Sequence, residues 1–199
     1  AVGHSAMDAN TTGEDNTAVG TYALSTATTA NYNSAFGRGA LYLTSTGENN
    51  TGVGTWALYS NTTAANNTAL GYSSLYANTT GYRNVALGSL TLDANTTGKY
   101  NIAIGHAALT TATTADQNTS IGYKSLTNAT TGSSNTAVGS IALESLTTGV
   151  CHTALGRDAL RAVTTMNNLT AVGFKALREN TTGDANVAVG FTALENNTT

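Results

Sequence analysis

Few residues in this chain are of a type and spacing that could do chemistry. Cys151 and His152 pair a thiol with an imidazole, the elements of a nucleophile and its base. They are immediate neighbours, however, and neighbours along a strand point to opposite faces. The pair is therefore read as local drift of a repeating pattern, which Met166 and Leu169 also break. His4 and His106 share a place in that pattern but lie six repeats apart, about 29 Å at one inter-strand step per repeat, too far to share a metal. Glu14, Glu48, Asp116 and Asp184 also share a place, never in consecutive repeats, so no carboxylate pair for acid–base work follows. The calcium-binding pattern Gly-Gly-x-Gly-x-Asp is missing, and the glycine spacing matches neither phosphate-binding loop. Recognition chemistry is better represented. Tyr42, Tyr59 and Tyr76 recur at one spacing with Trp56 nearby, and tyrosine and tryptophan are common anchors at recognition surfaces. Asn10, Asn61, Asn78, Asn95, Asn128, Asn180 and Asn197 lie in Asn-x-Thr sequons, which the make-up of a Thr-rich turn explains more cheaply than glycosylation does.

Whatever positions these residues repeats every 17 residues. Glycine stands at Gly3, Gly20, Gly37, Gly54, Gly71, Gly88, Gly105, Gly122, Gly139, Gly156, Gly173 and Gly190, with no insertion or deletion between them. Slots are numbered from the Asn of Asn-Thr-Ala-Val-Gly, so Asn16 is slot 1 and Gly20 slot 5. Slot 1 is Asn in all but two complete copies, the exceptions being His152 and Leu169. Slots 3 and 8 are small, slot 4 is Val, Ile, Leu or Phe, and slot 9 is Leu except for Met7. Slots 13 and 14 are Thr, apart from Ser45, and slot 15 is Gly or Ala, apart from Met166. Of 21 glycines, 19 fall in slots 5 and 15, so glycine here serves geometry rather than flexibility.

Composition agrees with an ordered array. There is no proline, as expected where nearly every backbone N–H is committed to a ladder. Charged residues are 10% and the net charge is −3, which argues against nucleic acid and against an anionic membrane as partners. No apolar run approaches the roughly 20 residues of a membrane helix, so no membrane insertion is expected of this segment. Both ends fall in mid-motif without a cap. Residues 1–199 therefore read as one continuous array, an uncapped segment of a longer fibre.

Seventeen residues are too few for a helical repeat or a propeller blade. They suit one coil of an all-β, single-stack parallel β-solenoid, or β-roll, of twelve 17-residue coils stacked about 4.8 Å apart, with the copies associating laterally as a trimer. Slots 1–4 read as a strand. Gly20, Gly37 and their equivalents through Gly190 read as a backbone position with φ > 0 or a very close approach. Slot 15 accepts Ala30, Ala64 and Ala115, so it demands smallness. Slots 6–11 form a second short strand or one helical turn. Stacking puts like above like: a Leu column and a Val/Ile/Leu column as a thin core, an Asn column chaining its amides, and Tyr42, Tyr59 and Tyr76 in an aromatic column. The small residues of slots 3 and 8 are expected to face outward, where another chain could approach.

At Asn-Thr-Ala-Val-Gly followed by Ala-Leu, the chain resembles the head repeats of trimeric autotransporter adhesins, of the form S-x-A-I-G-x-x-A-x-A-x-G at about 14 residues per coil. Ser34-Ala35-Phe36-Gly37, Asn101-Ile102-Ala103-Ile104-Gly105 and Asn118-Thr119-Ser120-Ile121-Gly122 carry the resemblance. Repeats in phage tail fibres and other surface fibres are similar. The resemblance implies a left-handed trimeric β-roll on a cell or virion surface, used for attachment. The present unit is three residues longer, at Asn-Thr-Thr before slot 15.

Three non-enzymatic functions follow, none needing a cofactor. The first is a structural segment of an extracellular adhesin or tail fibre, partnered by copies of itself. The second is a module binding a host-surface glycan or protein through Tyr42, Trp56, Tyr59 and Tyr76. The third is ice binding through the Thr columns of slots 13 and 14.

Overall fold

The computed structural model describes residues 1–198. Among them are no helix and eleven three-residue strands: β1 (Thr17–Val19), β2 (Ser34–Phe36), β3 (Thr51–Val53), β4 (Thr68–Leu70), β5 (Val85–Leu87), β6 (Ile102–Ile104), β7 (Thr119–Ile121), β8 (Thr136–Val138), β9 (Thr153–Leu155), β10 (Thr170–Val172) and β11 (Val187–Val189). They form one sheet in chain order. Each pairing is parallel and displaced by one repeat, so Ile104 lies beside Ile121 and Val19 beside Phe36. Val2 extends the ladder by a bridge to Val19. The fold is thus a parallel β-solenoid with one strand per 17-residue coil.

The strand occupies slots 2–4. Slot 1 contributes its carbonyl, which accepts from slot 2 of the preceding coil, as Asn118 O does from Ile102 N at 2.8 Å. Slots 6–11 are neither a strand nor a helical turn, contrary to both expectations. Slots 7 and 9 take φ near +50 to +60°, as at Lys124 (51°) and Leu126 (49°). Each such residue turns the following peptide over, so successive N–H groups point in opposite directions along the stack. Lys124 N donates back to His106 O at 3.1 Å, while Leu126 N donates forward to Ala142 O at 3.0 Å. Between them, Ser125 N closes a tight turn onto Gly122 O at 3.4 Å. A left-handed residue costs roughly 1–2 kcal/mol, and the inter-coil bonds it permits, repeated at every level, offset that cost. Leu109 N likewise reaches Ser125 O at 3.0 Å, one coil on.

The slot 5 glycines have φ between +124° and +141°, a region nearly closed to other residues. A Cβ on Gly105 would also lie 2.6 Å from Gly122 O, so the stack leaves no room for a side chain. Slot 15 has no positive φ, in keeping with a need only for smallness.

The core differs from the sequence expectation at three slots. The Leu column of slot 9 is buried, from Leu24 to Leu177. The small residues of slots 3 and 8 are buried with it between the two ends of the stack: Ala18, Ala35, Ala86, Ala23 and Ala108 are fully enclosed. The Val/Ile/Leu/Phe column of slot 4 faces outward and is half or more exposed at Leu70 and Val189. The thickness of the coil is the physical reason. A Cβ at Gly52, the one glycine of slot 3, would sit 3.3 Å from Leu41 Cγ, so a methyl from the sheet meets a leucine from the opposite wall. Only Gly, Ala and Ser stand there beside Leu, Ser120 turning its hydroxyl to that of Ser125, and alternation along the strand then turns slots 2 and 4 outward.

Asparagine closes the coil. Asn101 Nδ2 donates across the interior to Ala115 O, in slot 15 of the same coil, at 2.7 Å, and upward to Asn84 Oδ1 at 3.2 Å. Its Oδ1 accepts from the backbone N of Asn118 at 3.0 Å. The same set recurs from Asn33 to Asn118, within fully buried side chains. A second amide ladder, in slot 12, runs through Asn61, Asn78 and Asn95.

Candidate functional site

Three successive coils place tyrosine in slot 10, just past the left-handed leucine. Because each coil repeats the backbone of the last, the rings stack: Tyr42 and Tyr59 have centroids 5.0 Å apart at 15°, and Tyr59 and Tyr76 5.2 Å apart at 11°. Slot 7 carries Trp56 on the neighbouring turn, 6.5 Å from Tyr76 and edge-on to it. One coil earlier, slot 7 is Gly39 instead of a side chain, and one coil before that it is Tyr22, edge-on to Tyr42 at 6.1 Å. The missing side chain opens a groove of about 330 Å³ lined by Tyr22, Arg38, Gly39, Tyr42, Trp56 and Tyr59. A Cβ at Gly39 would point into it, 3.0 Å from Trp56 Cδ1.

The groove brings together three of the four aromatic residues singled out in the sequence. Tyr76 stands one coil outside it. Tyr22, Arg38 and Gly39 were missed. The available signal was Gly39 itself, one of only two glycines outside slots 5 and 15. The Arg38 guanidinium lies 5.9 Å from the Trp56 ring centre and makes no ion pair among the described residues. Burial and the neighbouring Tyr42 and Tyr76 hydroxyls push the Tyr59 phenol above its usual range, with Arg38 acting in the opposite sense. Tyr59 therefore enters the groove as a neutral donor.

Cys151 and His152 do not come together as a dyad. Cys151 is exposed and His152 is buried on the opposite side of the backbone. His152 stands in for the ladder asparagine: its Nδ1 accepts from Leu169 N at 3.2 Å and its Nε2–H donates to Met166 O at 2.7 Å, a pattern that defines the neutral tautomer. Burial holds its pKa below the ordinary histidine value. The slot 16 carboxylates are structural too, Asp116 and Asp184 accepting from the backbone N of Lys99 and Asn167 in the preceding coils at 2.8 and 2.7 Å. No group of three or more His, Cys, Asp and Glu side chains suited to a metal occurs among the described residues.

The slot 13 hydroxyls are spent on the ladder. Thr62, Thr79 and Thr96 each donate to the slot 13 carbonyl of the next coil at 3.0 Å, which leaves no free hydroxyl array on that column. Of the sequons noted in the sequence, Asn61, Asn78, Asn95 and Asn180 are fully buried and Asn128 is exposed. Asn49, Asn66 and Asn168, in slot 17, head further Asn-x-Thr sequons and are exposed. No protein-family model, curated protein or solved structure matches this chain.

Proposed function

We propose that this chain is a rigid rod segment of an extracellular fibre, an adhesin stalk or tail fibre, that holds an attachment surface away from a cell or virion. The observation that carries the reading is unbroken register: eleven strands in one sheet, each stepping by one repeat. Bending such a rod strains the backbone ladders along the stack and, from Asn33 to Asn135, the buried amide ladder as well. The placement outside a cell or virion rests on the resemblance of Asn-Thr-Ala-Val-Gly to adhesin head repeats.

Lateral association belongs to the same proposal, on a different ground from outward-facing alanines. The outer face of the sheet carries Val19, Phe36, Leu70, Leu155 and Val189, each 36–69% exposed. An apolar stripe that runs the length of a protein is a common mark of an interaction surface. Three copies turning this face to a common axis would remove the stripe from water. Labelling the parent particle with antibody against this segment tests the fibre reading: thin labelled rods are expected, and label confined to compact particles overturns it. Light scattering of the purified chain tests association. A trimer mass that falls to one chain in Ile104→Lys/Ile121→Lys is expected, whereas a monomer at all concentrations overturns the lateral part.

A further inference from the structure

We propose that the groove between Tyr22 and Trp56 is a binding site for an acidic saccharide, a pyranose ring bearing a carboxylate. It lies on the slot 6–10 wall, so it does not depend on how the sheet faces pack or on what the rod belongs to. At about 330 Å³ the cavity falls at the small end of ligand sites, room for a ring or two rather than a chain of many. Its lining is amphipathic. Four aromatic rings offer flat apolar surface, and the tyrosine hydroxyls and the indole N–H offer hydrogen bonds at the rim. A sugar presents the matching surface, a C–H face bordered by hydroxyls.

The charge selects the class further. Arg38 is the one charged residue in the lining, and it has no carboxylate partner among the described residues. A guanidinium held over an aromatic face, with its donors free, is suited to take a carboxylate with two parallel hydrogen bonds. The tyrosine ladder by itself needs neither Arg38 nor a gap. Stacking would be served as well by a side chain at position 39, and every other described coil puts one in slot 7. Gly39 is the residue that turns a ladder into a groove.

The chain carries its own reporter, because Trp56 is its single tryptophan. The intact chain is titrated with trigalacturonate and with its methyl ester, and with sialyllactose and lactose, while Trp56 emission is followed. A saturable change with at least one acidic probe is expected, with its neutral counterpart at least tenfold weaker. Arg38→Thr should remove the difference between the two, and Gly39→Leu should abolish both. These variants use residues the columns already carry, Thr21 and Thr55 in slot 6 and Leu90 in slot 7, so the coil is preserved. Should Gly39→Leu fail to fold, Tyr42→Ser, matching Ser25 in slot 10, takes its place with the same expected loss. No saturable change with either acidic probe at millimolar concentration overturns the proposal. So does equal binding of acidic and neutral partners, or undiminished binding in Arg38→Thr. None of these results bears on whether the parent forms fibres.

Discussion

Replacing Asn101 by alanine tests the account of how the coil is closed. Its side chain is fully buried and makes four hydrogen bonds: it donates to Ala115 O and to Asn84 Oδ1, and its oxygen accepts from the backbone N and the side-chain amide of Asn118. Alanine leaves the Ala115 carbonyl and the Asn118 N–H enclosed without those partners. Asn118 Nδ2 keeps its bond to Gly132 O at 2.9 Å, and Asn84 Oδ1 keeps the Asn101 backbone N at 3.0 Å, so neither adds a full penalty. Two stranded buried groups at about 1–3 kcal/mol each give a loss of about 2–6 kcal/mol. The loss should also be local, because each coil is held mainly by its neighbours. Hydrogen exchange is the suitable assay, since a repeat array need not unfold in one step. Protection should fall across residues 84–134 and hold near Leu41 and Leu177. Thr114→Ala is the control: Thr114 is exposed, and the change should stay within about 0.5 kcal/mol. If Asn101→Ala costs no more than this control, or if protection falls evenly along the chain, the amide ladder does not close the coils and the reasoning fails.

Other predictions follow from the same geometry. Stability should decline as pH falls from about 6.5, the unfolded histidine value, toward the lower folded value of His152, because the unfolded chain takes up that proton first and the folded ring needs Nδ1 free to accept from Leu169 N. Melting at about pH 8 and about pH 5 should show the decline in the parent and a smaller one in His152→Asn; identical profiles would remove the histidine from the ladder. Gly105→Val should cost well over about 3 kcal/mol, from φ of +124° and collision with Gly122 O, whereas Ala115→Gly should cost about 1 kcal/mol. Equal shifts in denaturant midpoint would deny slot 5 its special backbone. Secretion from a glycosylating host, followed by peptide mapping, should find sugar at Asn128, Asn49, Asn66 or Asn168 in folded material and none at Asn61, Asn78 or Asn95. A folded rod modified at Asn78 would refute the slot 12 ladder.

Period, register and column chemistry were legible from residues alone. A 17-residue spacing without insertions admits few closed units, and stacking those units forces Asn101 over Asn84 and Tyr59 over Tyr42 whatever the coil shape. Which side of the strand faces inward was not legible. Thr-Ala-Val alternates equally well either way, and hydrophobicity favours the wrong choice, burying Val and exposing Ala. The decision lies across the coil, where the slot 9 leucine leaves room for a side chain no larger than Ala or Ser, as Leu41 does beside Gly52. The left-handed residues of slots 7 and 9 were hidden for a related reason. Leu126 has no intrinsic preference for φ of +49°, and only the bond from its N–H to Ala142 O, in another coil, holds it there. The groove belongs to this second class. Tyrosine and tryptophan could be counted along the chain, but a gap at Gly39 becomes a cavity only when Tyr22, Arg38 and Trp56, spread over three successive repeats, are stacked around it.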